Sequence, residues 1–185
     1  AVQVGGSKGK GTTCAFLVAL AQAAQRRAGV YTSPHVTTLL ERVRIGDRDI
    51  PVAALERHLV ELLAVPDGER PPTFFEAMTL AAAAWFAEER VDLAVYEVGL
   101  GGRHDATTAL PVDAGIVTMI ELEHTDVLGD TVAAIAGEKA PVIRAGGLGF
   151  TGASGDALAV VAGHCQRIGA RLLVLGEHFG LRGLR

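Results

Sequence analysis

Short apolar runs alternate along this chain with amphipathic stretches, a rhythm that predicts strands and helices in turn. Val2–Gln3–Val4 ends in a glycine-rich turn, and Phe16, Leu17, Leu20 and Ala24 then recur at helical spacing. That spacing predicts a helix over 13–28 closed by Gly29. Val30–Tyr31–Thr32 completes a strand–loop–helix–strand unit, which implies a parallel pair with a right-handed crossover. Val43–Ile45 with the Gly46–Asp47 turn predicts a small hairpin, and Val52, Leu55, Leu59 and Leu62 mark an amphipathic helix from Pro51 to Leu63. A polar loop from Val65–Gly68 to Pro72 follows. Thr73 with Glu76 three residues on forms a capping box that opens a helix to Glu89. Further strands are expected near 91–97, 114–119, 148–151 and 171–175, with helices at 131–140, stopped by Pro141, and around 158–168. The sum is an α/β fold, a mostly parallel sheet with helices on both faces.

The 185 residues suffice for one such domain, and 49% hydrophobic with 21% charged residues is a globular composition. A net charge of -4 with no basic block argues against a nucleic-acid surface. No apolar run nears a membrane span and no signal-peptide pattern is visible, so the cytoplasm is the expected compartment. Cys14 and Cys165 are too few for a disulfide framework or a Cys-based metal site. Of the 17 basic residues only Lys8, Lys10 and Lys139 are lysines. Two of them sit in the glycine turn; the third is singled out because an amine, unlike a guanidinium, can lose its proton and react.

Candidate chemistry gathers behind strands. Gly5, Gly6, Gly9 and Gly11 leave the backbone free to curl its N–H groups inward at a helix N-terminus, a ready polyphosphate site. Lys10 adds a point charge for the outer phosphates, and Thr12 a hydroxyl for Mg²⁺. The strict P-loop pattern is not met, since Gly11 separates Lys10 from Thr12. Ser33–Pro34–His35 follows the second strand; Ser33 and His35 fit a ligand site or simply a turn serine and a surface histidine. Glu97 closes the 91–97 strand, where an acidic residue after a phosphate loop commonly holds Mg²⁺ or its water. Glu121–Asp126 brings polar side chains past the next strand.

Six separated segments together resemble the folylpolyglutamate synthase and dihydrofolate synthase family of the Mur ligase superfamily. They are Gly6–Thr12, Tyr31–His35, Phe74–Glu76, Glu97–Arg103, His124–Gly129 and Glu138–Ala140, in family order along the whole chain. The resemblance implies a P-loop NTPase-like Mur ligase central domain and an ATP-dependent ligase. In this family ATP phosphorylates a folate-type carboxylate, and the amine of L-glutamate attacks the acyl phosphate. Gly9, Lys10, Gly11 and Thr12 would hold the triphosphate. Ser33 and Glu97 would bind one Mg²⁺, and His124 with Lys139 a second. Lys10, His124 and Lys139 would then be the catalytic set. The family's matching lysine is carbamylated, which would make Lys139 an anionic oxygen ligand; taken alone, Lys139 equally fits a helix C-terminal charge. Phe74, Phe75, Glu76, His104 and Asp105 match segments lining the pterin-bearing substrate site.

Some positions depart from the family pattern. Glu123 stands where Asp usually precedes the histidine, Pro141 where Gly is usual, and Thr108 where Asn follows Asp-Ala-Thr. Family members are more than twice this long, with a C-terminal Rossmann-like domain that closes over ATP and binds glutamate. Residues 1–185, which end at Gly183–Leu184–Arg185 with no closing motif, therefore read as an incomplete central domain. The expectation is a monomer that binds Mg–nucleotide weakly and does not turn over alone. A small P-loop kinase and a non-catalytic nucleotide-binding module are the rival readings.

Overall fold

The computed structural model describes residues 1–64 and 70–180. The loop expected from Val65 to Gly68 and the chain end at Gly183–Arg185 lie outside them. The strands are β1 (Val2–Gly5), β2 (Ala28–Tyr31), β3 (Val43–Ile45), β4 (Arg48–Asp49), β5 (Leu93–Glu97), β6 (Ala114–Val117), β7 (Leu148–Thr151) and β8 (Arg171–Val174). The helices are α1 (Lys10–Ala23), α2 (Val52–Ala64), α3 (Phe74–Glu88), α4 (Thr125–Leu128), α5 (Val132–Lys139) and α6 (Gly155–Ile168). All strands join one sheet in the order β4-β3-β2-β5-β1-β6-β7-β8. It is parallel except for the β2–β3–β4 excursion, whose hairpin turns at Gly46–Asp47 as expected.

Period-two alternation separates two cores. Val4, Val30 and Val95 pack with Cys14 and Val18 of α1, while their neighbours Tyr31 and Tyr96 pack on the opposite face with Met78, Trp85 and Phe86 of α3. Val117 faces the same side as Tyr96 and meets Val142, Val161 and Cys165. Helices thus cover both faces, unevenly: α1 stands on one, and α2, α3 and α6 on the other.

Two expected boundaries shift. The first helix stops at Ala23 rather than 28, with Gln25 in the left-handed region at φ 55°. Gly29 belongs to β2 and does not cap the helix. A Cβ there would lie 2.6 Å from the Phe86 ring, so this glycine admits an aromatic against the sheet. The α3 capping box is present: Thr73 accepts from the Glu76 amide and Glu76 from the Thr73 amide. Lys139 ends α5, and Pro141 sits at the start of a 3₁₀ turn over Ala140–Val142. The single turn of α4 was not anticipated. Because β1, β2, β5 and β6 run parallel, the loops after them share one rim, with β1 between neighbours that the chain reaches in opposite directions. That is the topological switch point, where open α/β sheets hold ligands.

Candidate active site

The glycine turn is built against the segment after β6. Gly6 has φ 137°, and a Cβ on it would lie 1.9 Å from Thr118 Oγ1, so no larger residue fits. Ser7 N–H donates to the Met119 carbonyl (2.7 Å), and the Thr118 hydroxyl donates to the Lys8 carbonyl (2.7 Å). Gly9, at φ 82°, then caps α1, whose first turn carries no acidic residue and no side-chain cap. The amide end of a 14-residue helix therefore faces the turn, with Gly11 and Thr12 exposed beside it.

Both candidate catalytic lysines reach this turn. The Gly6 carbonyl accepts from Lys10 Nζ (3.0 Å) and from Lys139 Nζ (3.2 Å). Lys139, only 2% exposed, is also paired with Glu123 Oε1 at 2.8 Å. Burial pushes its amine below the ordinary lysine value, against the pull of Glu123. The Glu123 carboxyl, raised by its own burial, is nevertheless held below the ordinary range by the Lys139 hydrogen bond and charge. Lys8 points elsewhere and is ion-paired with Glu121 at 2.5 Å.

Glu97 stands beside the first turn of α1; a Cβ on Gly11 would be 3.6 Å from its Oε1. It is 5% exposed, and its Oε2 accepts the Ser33 amide at 3.0 Å. Burial raises its carboxyl above the usual value, opposed by that amide and by the Lys10 charge. Ser33, Glu97, Thr32 and Gly11 border a cavity of about 510 Å³ between α1 and the β2–β3 pair. The buried Glu97 carboxylate and the hydroxyl of the neighbouring Ser33 are hard oxygens of the kind Mg²⁺ takes. His124 is exposed, at φ 45°, immediately after Glu123 and at the N-terminus of α4. Among the described residues no three His, Cys, Asp or Glu side chains stand together as a ready cation site. As an ammonium Lys139 donates to the Gly6 carbonyl and pairs with Glu123, and it has no lone pair to offer a metal.

A second cleft, about 320 Å³, is lined by Phe75, Glu76, His104, Asp105, Leu128 and Glu138, among others. It brings together four of the five residues assigned to the acceptor. Phe74 is not among them; it is 56% exposed and its ring lies 5.3 Å under the Arg42 guanidinium. Two of the carboxylates are already committed. Arg70 and the Thr73 amide hold Glu76, pushing its carboxyl down to about 2, and Asp105 accepts from the amides of Gly99, Leu100 and Thr107. Glu76 and Asp105 thus shape the wall more than they offer free charge. Sequence reasoning missed Gln3, fully buried in β1, whose Nε2 donates to Thr107 (2.8 Å) and Thr108 (2.7 Å). Its one signal was an amide inside an apolar strand.

The Mur ligase middle domain matches residues 4–147. The chain belongs to that family. Within it, the chain is 47% identical over 167 residues to a probable bifunctional folylpolyglutamate synthase/dihydropteroate synthase of Haloferax volcanii, covering 86% of this chain and 20% of that protein. It is 41% identical over 141 residues to the dihydrofolate synthase/folylpolyglutamate synthase of Escherichia coli, covering 76% of this chain and 33% of that one. Among solved structures it superposes on E. coli FolC in complex with DHPP and ADP with a TM-score of 0.91 at 36% identity, over 97% of this chain and 43% of that one. A bifunctional folylpolyglutamate synthase/dihydrofolate synthase with Mn, AMPPNP and L-glutamate bound gives 0.90 at 37% identity, over 98% and 44%. This Mur ligase middle domain therefore spans between 20% and 33% of the two curated relatives' length. No helix among the described residues is long and apolar enough to cross a membrane.

Proposed function

We propose that this chain is the nucleotide-binding part of an ATP-dependent carboxylate–amine ligase that joins L-glutamate to dihydropteroate or folate through an acyl phosphate. The reading is carried by one observation: Lys10 and Lys139, far apart in sequence, converge on the Gly6 carbonyl at the rim that also holds Glu97. It is supported by relatives named as dihydrofolate and folylpolyglutamate synthases and by neighbours solved with ADP or AMPPNP. A carboxylate is a poor electrophile until one oxygen becomes a leaving group, and phosphoryl transfer is mainly positioning and charge neutralisation.

The amide end of α1 and the Lys10 ammonium receive the triphosphate, with Gly9, Gly11 and Thr12 close around it. Ser33 and Glu97 would hold Mg²⁺, which would supply positive charge for the phosphoryl transfer. Phe75 offers a flat apolar face to the pterin, with His104 on the same wall. A second cation would need His124 together with Lys139 as a carbamate. Burial favours the neutral amine, the form that would add to CO₂ as one N–H proton passes to Glu123, 2.8 Å away, and on to solvent. The new anion would stand against the Glu123 carboxylate unless a cation lay between them. Lys10, His124 and Lys139 are the catalytic candidates.

The test is titration of AMPPNP into the 185-residue chain with Mg²⁺ or with EDTA, for the native sequence and Glu97→Gln. Affinity should drop at least about tenfold on either change. Binding indifferent to both overturns the site. Product analysis with ATP, folate and glutamate separates the rivals: a stable phosphorylated acceptor identifies a kinase. Glutamate-dependent ADP release by this chain alone would overturn the expectation that it binds without turning over.

A further inference from the structure

The acceptor cleft and the phosphate loop meet on adjacent residues at the end of α5. Glu138 lines the cleft, while Lys139, next in sequence, is buried against the Gly6 carbonyl. One side chain braces that helix end. Arg103 donates through Nε to Glu138 Oε1 (3.0 Å) and through Nη2 to the Gly137 carbonyl (3.1 Å), and its amide donates to the Glu138 carbonyl (2.9 Å). Its neighbour Gly102 packs so closely that a Cβ would lie 2.9 Å from the Glu138 carbonyl oxygen and 3.0 Å from that of Lys139.

We infer that Arg103 is a positioning residue that couples the acceptor cleft to the phosphate loop by fixing the last turn of α5, and Lys139 with it. The inference rests on the ligase reading of the two sites. The loop that carries Arg103 is tied at several points by hydrogen bonds. Asp105 ties its start to the Gly99 and Leu100 amides, Thr108 donates to the Gly102 carbonyl (2.6 Å), and Gln3 holds Thr107 and Thr108 from β1. A shift of the cleft wall is therefore passed to the helix end rather than absorbed locally. At the other end, the triphosphate that the ligase reading places on Lys10 competes with the Gly6 carbonyl for that ammonium, so the rim then depends more on where the end of α5 seats Lys139. Its placement then matters more in the nucleotide-bound state than in the free one, which is the differential contact that coupling requires. The Arg103–Glu138 pair is half exposed on the Arg side, so it contributes little to global stability. Stability and coupling are thus separable readouts.

The experiment measures Mg²⁺·AMPPNP affinity with and without saturating dihydropteroate, and the reciprocal pair, in the 185-residue chain. In the native sequence the two probes should strengthen each other by about fivefold or more, the same factor in both directions. Arg103→Met should cut that factor below about twofold while both probes still bind and the melting temperature holds. Glu138→Gln keeps an oxygen acceptor for Nε and should retain the coupling; Glu138→Ala should lose it, and decides the matter if Arg103→Met does not fold. Coupling unchanged in the folded variants overturns the role of Arg103. A native chain that binds both probes without coupling also overturns it, leaving the ligase reading intact. A native chain that binds neither overturns the ligase reading itself.

Discussion

Replacing Lys139 with methionine tests the centre of the site without leaving a large hole, because the two side chains are similar in length. The native ammonium makes two contacts, 2.8 Å to Glu123 and 3.2 Å to the Gly6 carbonyl, with 2% of the residue exposed. Hydrogen bonds to a charged group contribute about 1.5–3 kcal/mol each, but removing the ammonium also removes the cost of burying it. What remains is Glu123 without its cation. Breaking a fully buried pair costs about 3–5 kcal/mol. The Glu123 side chain is 25% exposed, so water recovers part of that, and a loss of about 2–3 kcal/mol is expected. For a domain of this size that is a melting-point drop of roughly 4–12 °C. Urea unfolding followed by circular dichroism measures it directly. The decisive comparison is Lys139→Met with Glu123→Gln, which removes both charges and should recover at least about half of the loss. A single variant within about 0.5 kcal/mol of the native chain, or a pair whose losses simply add, would refute an energetically coupled Lys139–Glu123 pair.

Further expectations concern Glu97 and two glycines. The raised Glu97 carboxyl must ionise to hold a cation, so Mg²⁺-dependent nucleotide affinity should fall as pH is lowered through a value above the ordinary 4.5, and fall less steeply in Glu97→Gln. Its contribution to metal-free stability has the opposite sign, greatest below 4.5 and lost as pH rises through the folded-state value; a pH series of titrations and melts checks both. Gly115→Ala should unfold the domain or cost more than about 3 kcal/mol, since its Cβ would lie 2.3 Å from the Val142 carbonyl oxygen. Gly137→Ala meets nothing within 4 Å and should stabilise α5 by about 0.5–1 kcal/mol, both read from urea midpoints.

What could be read from the residues alone was local or periodic. The α3 capping box is a relation between Thr73 and Glu76 three positions apart, and the alternation of β5 delivers Glu97 to a strand end. The glycine turn before α1 needs only the order of its residues, because positive φ at Gly6 and Gly9 is a property of the backbone itself. Gly29 shows where such signals fail. A glycine after a helical pattern looks like a cap, but this one is set by the Phe86 ring that packs over the strand. Phe74 and Phe75 are adjacent and chemically alike; only the helix N-terminus turns one toward Arg42 and the other toward Tyr31 and the cleft.

The sequence by itself determined an α/β rhythm, a glycine-rich turn at a helix start, and which side chains could do chemistry. Tertiary structure alone decided that Lys139 crosses 133 positions to share the Gly6 carbonyl with Lys10, and that the Asp105 and Glu76 carboxylates are spent on nearby partners. The division has a physical cause. Backbone preference and periodicity act over a few residues, whereas the environment of a buried charge depends on which strands lie side by side, and that order is selected by the packing of the whole sheet.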